Sequence, residues 1–374
     1  MRRSTNRILV SHAGTAPRPA DQTDLPSAVK EVVRKQAEVG IDIVNDGELS
    51  KSNFTNYVRD RLGGIAPAAQ DAQLPPRNIN ARDLREFPQF FATGGGGFGR
   101  NRPGTPGIPS AFLQRMVVTG PITYVGQATV ATDVANMRSA LDGLDVEGFL
   151  PAVAPGTVEH WLYNQHYSSD QDFLFALADA MHYEYKAITD AGLNLQIDDP
   201  DLPDGWQMFP DMSVADYQAY ATLRVEALNH ALRGIPEEQI RLHVCWGSGL
   251  GPHKNDIDLP DIIDVILQVK AQVYSIEAAN PRHQHEWRVF EDVKLPEGKS
   301  LMPGVIGHAT DIVEHPRMIA DRLIQYANLV GKENVVAGTD CGVGSRVWNG
   351  EIAWAKFAAM AEGARIASAE LWRR

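Results

Sequence analysis

The chain has too little cysteine for a disulfide-bonded secreted protein. Two cysteines in 374 residues cannot form a disulfide framework, and they suit a reducing compartment. Long apolar runs are also missing, since no stretch reaches the roughly 18 residues of a membrane-spanning helix. The basic first residues are followed by a brief apolar run at residues 8–10, far too short for a signal-peptide core. We therefore predict a cytoplasmic protein with no membrane partner.

Positive charge is in deficit as well. The sequence has 35 Lys and Arg against 47 Asp and Glu, so its formal net charge is -12 and its pI is near 5.4. Such a chain has no overall positive field to attract nucleic-acid phosphates, and we expect no nucleic-acid partner. A P-loop, a G-x-S-x-G nucleophile motif and a repeat period are absent from the sequence. The apolar content of 44% is that of a folded globular protein.

Short β-branched runs alternate with longer amphipathic segments, which is the pattern of repeated βα units around a buried parallel sheet. Helices are predicted at residues 26–39 and 170–191, each ended by a glycine, Gly40 or Gly192. Because the units run along the whole chain without a break in composition, we predict one α/β domain over residues 1–374, a single TIM-type (β/α)8 barrel. The nine candidate strands, one more than a barrel needs, are 7–13, 41–45, 116–119, 149–153, 193–197, 241–245, 273–276, 302–306 and 334–337.

Residues 66–110 depart from this pattern and are predicted to form an inserted loop region rich in Gly and Pro. A short helical stretch at about residues 82–91 precedes a glycine run at 94–99 that formally matches the dinucleotide-binding pattern G-x-G-x-x-G. No strand is predicted before this run, and Pro103 and Pro106 prevent the helix that should follow, so we reject dinucleotide binding. We expect a mobile loop or lid over the barrel mouth, with plain disorder as the alternative.

The strand predicted at residues 241–245 is the most informative one. Side chains alternate along a strand, so His243 and Cys245 share one face while Leu242 and Val244 share the other. In a barrel the aliphatic pair faces the helices and the His and Cys face inwards. At the C-terminal end of a barrel strand, an imidazole beside a thiolate can bind zinc.

Two other strand ends supply further metal-ligand types. Glu277 and Cys341 each follow a predicted strand, so both cysteines of the chain end barrel strands. Together with His243 and Cys245 they make a complete tetrahedral set for a zinc ion. The alternative is a core histidine beside an inert buried thiol. The placement of all three segments at strand ends favours the metal site.

Other polar residues follow predicted strands at 46–48, at 198–199 and at His308. Buried carboxylates are costly unless they are paired, and such groups often only cap helices or bind nearby backbone. Their convergence on the face that carries the metal set favours a substrate pocket.

Taken in order, these residues resemble the catalytic barrel of cobalamin-independent methionine synthase and its shorter relatives, which include epoxyalkane:coenzyme M transferase. The resemblance spans nearly the whole chain and is specific for the superfamily rather than for a substrate. The matching motifs are Ala13-Gly14-Thr15-Ala16-Pro17, Asp46-Gly47-Glu48, Thr119-Gly120-Pro121, Gln196-Ile197-Asp198, His243-Val244-Cys245, Ser275-Ile276-Glu277, His308 and Asp340-Cys341-Gly342.

The resemblance implies roles for several of the matched residues. It implies that His308 delivers a proton to the leaving group, although the segment from Gly304 to His308 is one residue shorter than in the synthase. It also implies a place in methionine biosynthesis. The implied zinc ligands are His243, Cys245, Glu277 and Cys341. The residues implied to hold a thiol amino acid are Thr15, which replaces the usual serine, Glu48 and Asp198.

The alkyl donor is a separate question. Trp161 and Tyr163 lie where the family contacts its donor, and their rings suit a flat or apolar electrophile, with a packed surface loop as the alternative. The full synthase has an additional N-terminal barrel that helps to bind polyglutamylated folate. Because this chain carries a net charge of -12 and shows no such barrel, we expect it to use a smaller donor.

The leading expectation is a zinc-dependent thiol alkyltransferase that moves a methyl or small alkyl group to homocysteine or another small thiol. A second enzyme interpretation is epoxide opening by coenzyme M or a similar thiol, for which Arg18 or Arg282 would hold the sulfonate. A third, from another class, is a non-catalytic barrel that binds zinc or a small ligand. The sequence leaves open the thiol, the donor and whether the protein is a homo-oligomer.

Overall fold

A computed structural model describes residues 1–20, 24–93, 95, 114–247, 249–344, 346–347 and 349–373. Its main sheet has eight parallel strands, which are β1 (Leu9–Val10), β2 (Ile43–Val44), β5 (Glu147–Val153), β7 (Asn194–Asp198), β8 (Ile240–Val244), β9 (Val273–Ile276), β10 (Ser300–Ile306) and β11 (Val336–Thr339). The strand order is β1-β11-β10-β9-β8-β7-β5-β2. A parallel bridge between Ser11 and Ile43 joins the two edge strands, so the sheet closes into the predicted barrel.

Helices follow the barrel strands in chain order. A buried stripe of Val29, Val32 and Val33 seats the first helix on the sheet, where each fully buried valine contributes about 1.5 to 3 kcal/mol. Gly40 and Gly192, with φ of 96° and 79°, end two helices as predicted. The helices are α1 (Leu25–Glu38), α2 (Ala81–Glu86), α3 (Pro88–Ala92), α4 (Gln127–Leu141), α5 (Pro155–Trp161), α6 (Asp170–Asp190), α7 (Asp201–Met208), α8 (Val214–Ala231), α9 (Leu259–Ile266), α10 (Val289–Asp292), α11 (Pro316–Val330) and α12 (Gly350–Leu371).

The ninth predicted strand, at residues 116–119, lies outside the barrel. It belongs to β4 (Met116–Tyr124) in a small sheet of order β3-β4-β6, with β3 (Leu62–Pro67) antiparallel to it and β6 (Leu162–Asn164) parallel. The departure from the βα repeat therefore begins before residue 66, because β3 already pairs within this second sheet.

The helical stretch predicted at 82–91 is present as α2 and α3, separated by Phe87 and restarted by Pro88 at the first helical position. Of the glycine run at 94–99 only Gly95 is described, so the predicted lid lies outside the described residues. Across the described ranges, none of the helices is both long enough and apolar enough to cross a membrane.

Candidate metal centre and active site

Strand β8 places His243 on the inner face of the barrel, and Cys245 follows on the same side. Each is 2% exposed, whereas Leu242 and Val244 are fully buried in the apolar core on the other face. This is the alternation that the sequence predicts. Cys341, which comes shortly after β11, completes a group with them.

The ligand atoms of His243, Cys245 and Cys341 all lie within 4.8 Å of one another. His243 Nδ1 is 3.0 Å from Ser275 Oγ, while its buried Nε2 has no hydrogen-bond partner among the described residues. A metal-binding histidine usually hydrogen-bonds a neighbour through one ring nitrogen, which leaves the other nitrogen available to the metal. An imidazole with two sulfurs is a donor set that suits zinc, so these residues fit the expected ion.

The two thiols are coupled to each other. Hydrogen bonding from Cys245 holds the pKa of Cys341 well below the usual thiol range, and the neighbouring His243 lowers it further. The same hydrogen bond raises the pKa of Cys245. Of the two sulfurs, that of Cys341 is therefore the one whose surroundings favour the thiolate.

Glu277, the fourth predicted ligand, belongs to an adjoining buried cluster. Its carboxylate, the His308 ring and the Asp340 carboxylate each offer an atom within 4.8 Å of the others. Glu277 Oε2 accepts a hydrogen bond from the backbone N of Trp246 at 2.8 Å, and Oε1 accepts one from Asn280 Nδ2 at 3.0 Å. Because Trp246 follows Cys245 directly, the carboxylate still lies beside the metal-ligand strand.

His308 follows β10 and is 2% exposed. Neither ring nitrogen is hydrogen-bonded within the described part of the chain, and burial lowers the pKa of His308. Asp340 Oδ1 accepts hydrogen bonds from the backbone N of Ala278 at 2.8 Å and of Ala279 at 2.7 Å. Burial, followed by the charge of Glu277, raises the pKa of Asp340 to about 7. Asp340 is not among the predicted site residues, although its position at a strand end beside a cysteine could have indicated a role.

Glu48 follows β2 and is buried in a strained backbone conformation, with φ of 56°. Its Oε2 makes no hydrogen bond within the described ranges and is 3.8 Å from Lys51 Nζ. Burial raises the pKa of Glu48 to about 8, with further contributions from the charges of Asp198 and Asp46. Gly14 packs so closely that a Cβ there would be 2.6 Å from Glu48 Oε1.

Asp198 ends β7 and accepts a hydrogen bond from Gln196 Nε2 at 2.7 Å. Burial raises the pKa of Asp198 to about 6. The charge of His243 lowers this pKa and that of Cys341 raises it, so the carboxylate lies close to two of the metal-ligand candidates. Thr15 lies against the segment that carries Cys341, since a Cβ on Gly342 would be 2.4 Å from Thr15 Oγ1. The structure thus brings the three predicted substrate residues to the barrel mouth that carries the metal group.

Two buried cations were missed by the sequence analysis. Lys51, beside Glu48, also donates to the backbone O of Pro151. Arg241 fills the barrel below the site, where Nε donates to Gln196 Oε1 at 2.8 Å, and burial lowers the pKa of Arg241 to about 9. The alternation that places residues 243 and 245 inside the barrel also places Arg241 there, so the sequence contained this signal.

The donor-side candidates, Trp161 and Tyr163, lie at the end of α5 and in β6. Tyr163 is 8% exposed, and the Arg77 guanidinium lies 4.3 Å from its ring centroid. Arg77 Nη1 donates to the backbone O of Glu159 at 3.0 Å, His160 at 2.5 Å and Leu162 at 2.8 Å. Trp161 ends α5, and within the described chain its buried Nε1 has no partner.

The two arginines considered for a sulfonate are both engaged. Arg18 donates to the backbone O of Leu49. Arg282 pairs with Asp258 at 2.9 Å and donates to the backbone O of His253 at 3.1 Å.

Comparison with known proteins adds to this geometry. Residues 108–365 match the sequence model of the cobalamin-independent synthase catalytic domain. A methionine synthase of Thermococcus kodakarensis is 22% identical over 357 residues, which cover 94% of this chain and 87% of the relative. A 5-methyltetrahydropteroyltriglutamate–homocysteine methyltransferase of Thermotoga petrophila is 25% identical over 323 residues, which cover 86% of this chain and 37% of the relative. The chain thus spans most of the first relative and little more than a third of the second.

Solved structures agree on the fold. A B12-independent methionine synthase from Shewanella sp., in complex with selenomethionine, superposes with a TM-score of 0.67 at 19% identity, covering 98% of this chain and 99% of the other. A methyltransferase from Methanosarcina mazei gives a TM-score of 0.56 at 14% identity, with 95% and 94% covered.

Proposed function

The chain belongs to the cobalamin-independent synthase family, and we propose that it is a zinc-dependent thiol alkyltransferase that moves a methyl or small alkyl group to homocysteine or another small thiol. One observation carries the proposal. His243, Cys245 and Cys341 offer a nitrogen and two sulfurs within 4.8 Å of one another, and the His243 Nε2 is buried with no partner in the described part of the chain.

Zinc bound by these residues would keep an acceptor thiol deprotonated at neutral pH, where a free thiol is mostly protonated. Two sulfur ligands make the site electron-rich, which suits a nucleophilic thiolate better than hydrolysis. Glu277 is the proposed fourth ligand. The backbone N of Trp246 holds its carboxylate beside Cys245.

Two buried carboxylates support an amino thiol as the acceptor. The charge of Asp198 raises the pKa of Glu48, so the two groups lie close enough to repel each other. A substrate ammonium beside them would stabilise the ionised form of Glu48, whereas a sulfonate would raise its pKa further. Arg282, a candidate for a sulfonate, is already paired with Asp258. These charges favour homocysteine over coenzyme M.

His308 is the proposed acid for the leaving group. It is buried with both ring nitrogens unbonded in the described ranges, so a ring N–H can be presented to a bound donor. Burial lowers the pKa of His308, and the nearby charges of Cys341 and Asp340 partly oppose that shift.

Elemental analysis of purified protein that has never met a chelator tests the metal centre. We expect about one zinc per chain. Cys245→Ser and Cys341→Ser should weaken zinc binding greatly, because each removes a thiolate, and Glu277→Gln should weaken it less. His285→Asn, which changes an exposed histidine, is the control. Zinc-free protein, together with Ser variants of unaltered affinity for added zinc, would refute the assignment.

The reaction is tested by assaying the zinc form with homocysteine and coenzyme M as acceptors, each with methyl donors and a short epoxyalkane. Alkylation of homocysteine at a higher kcat/KM than coenzyme M supports the proposal. Exclusive use of coenzyme M with the epoxide would favour the transferase alternative. Zinc binding with no turnover of any pair would favour a binding protein.

A further inference from the structure

The inserted helix α2 is hydrogen-bonded to the segment 253–257 at the barrel mouth. The Asp83 carboxylate is buried and accepts from the backbone N of Asn255 at 3.0 Å and from its Nδ2 at 2.9 Å. The backbone N of Asp83 donates to Gln207 Oε1 at 3.2 Å, and Gln207 Nε2 donates to Asp256 Oδ1 at 3.0 Å. Two consecutive residues of the segment are therefore held, one by α2 directly and one through Gln207.

Asp256 links this segment to a second layer of buried groups. Its Oδ2 is 2.8 Å from His253 Nδ1 and 3.1 Å from His283 Nε2. His283 Nδ1 is in turn 2.9 Å from Glu286 Oε2. Burial alone would lower the pKa of His283, but its bonds to Asp256 and Glu286 raise that pKa to about 9. The ring is thus held between two carboxylates.

The His283 ring packs against the residue that follows the metal-ligand strand. It stacks on Trp246 with the ring centroids 4.0 Å apart and an interplanar angle of 22°. Trp246 is fully buried, and its Nε1 donates to the backbone O of Ile257 at 2.7 Å. Its backbone N donates to Glu277 at 2.8 Å. A shift of Trp246 would therefore move both Cys245 and the carboxylate of Glu277.

We propose that Asp83 is a positioning residue for the metal centre. It holds the segment 253–257 so that His283 stays against Trp246. Trp246 in turn sets the place of Cys245. Asp83 bonds to none of the metal-ligand candidates among its described contacts, so its effect is transmitted through this chain of contacts. The inference rests on the metal centre of the proposed function and is independent of which thiol or donor reacts.

The test compares zinc affinity and cobalt absorption spectra in full-length variants. Asp83→Ala should weaken zinc binding by about 10-fold, the low end of the 10- to 100-fold range for groups bonded directly to metal ligands, and alter the absorption bands of the Co(II)-substituted protein. Asp83→Asn should stay within about threefold of the wild type, because a carboxamide oxygen can still accept from Asn255. Competition with a chromophoric chelator gives the affinities.

The matched control is Arg85→Ala on the same helix. Arg85 forms an ion pair with Asp211 at 2.7 Å, with the two side chains 56% and 83% exposed, so its loss should leave zinc binding unchanged. A double variant adds a second check. His283→Gln should weaken zinc binding by itself, and adding Asp83→Ala should then cost less than a further twofold, because both changes interrupt one path.

Wild-type affinity and an unchanged cobalt spectrum in Asp83→Ala would overturn the inference. An equal loss in Arg85→Ala, or fully additive effects in the double variant, would also overturn it by showing general destabilisation. The proposed function fails differently: a wild type that binds zinc but alkylates no thiol would defeat the activity while the zinc affinities still test Asp83.

Discussion

Backbone strain is concentrated at two residues near the barrel mouth. Over the described ranges, the non-glycine residues with positive φ are Glu48 at 56° and His253 at 54°. Such conformations cost of order 1 kcal/mol or more and persist where the surrounding structure imposes them. Glu48 is a proposed substrate ligand, and His253 is bonded to Asp256 behind Trp246. Strain at both positions agrees with the roles argued for their surroundings.

Glu48→Gln should change how stability depends on pH. The pKa of Glu48 is about 8 in the folded protein against 4.5 ordinarily, so the folded state binds the extra proton between these values. Wild-type stability from this group is present at low pH and is lost as pH rises through that window. The variant does not lose this stability, because the glutamine side chain does not titrate. In urea unfolding of chelator-treated protein, its stability relative to wild type should therefore rise by about 1 kcal/mol or more from pH 5 to pH 8.5.

The control for that measurement is Glu31→Gln, since Arg34 lowers the pKa of this partly exposed carboxyl and removes it from the window. A Glu48→Gln difference that is the same at both pH values would refute the argument.

His308→Asn should lower turnover by roughly 10²-fold while leaving zinc content unchanged. Alkyl transfer from nitrogen or oxygen leaves a poor anion that needs a proton, and asparagine cannot supply one. Steady-state kinetics and elemental analysis on the same preparation give the two readouts. Unchanged turnover would mean that another group, such as His12 or His166, is the acid, or that none is needed.

At the scale of elements, the last two helices are packed closely through a glycine. A Cβ at Gly363 of α12 would lie 2.4 Å from Ile319 Cγ2 and 2.9 Å from the backbone O of Pro316, both in α11. In a helix interior, alanine is normally more stable than glycine by about 1 kcal/mol. Here the clash with backbone opposes that preference, because overpacking costs about 1 to 3 kcal/mol.

Gly363→Ala should therefore destabilise the protein by about 1 kcal/mol, which thermal or urea unfolding would measure. In an Ile319→Ala background the added methyl group has more room, so the same change should cost less there. A stabilising Gly363→Ala would show that α11 yields easily and that the contact is loose.

At the scale of the whole molecule, parallel strands explain why the site exists. Glu48, Asp198, Glu277, His308 and Cys341 follow or end five different barrel strands. In a closed parallel barrel all strands end on one face, so residues that are distant in the sequence meet there. Within the described residues the barrel sheet is closed, because Ser11 and Ile43 bridge the first and second strands.

The net charge leads to a prediction about the donor. A polyglutamate tail is bound by positive side chains, yet this chain carries a net charge of -12. With homocysteine, we expect methyltetrahydrofolate triglutamate to give a kcat/KM below about 10⁴ M⁻¹s⁻¹, with little advantage over the monoglutamate. A higher kcat/KM, or a large preference for the triglutamate, would indicate instead that the enzyme uses a folate polyglutamate as its donor.

The sequence by itself determined the direction of side chains along the metal-ligand strand and the ends of two helices. Alternation placed His243 and Cys245 inwards and Leu242 and Val244 outwards, and glycines at 40 and 192 marked helix ends. These are local properties, because side-chain direction along a strand and the φ of a residue depend on near neighbours.

Tertiary structure alone decided what lies next to what. It placed residues 116–119 in a second sheet, grouped Glu277 with His308 and Asp340, and joined Asp83 to the segment 253–257. No local pattern encodes these pairings, since they depend on strand register and on loops from separate βα units meeting at one face. Which carboxylate carries a proton follows from those same contacts, because burial and neighbouring charge set the pKa.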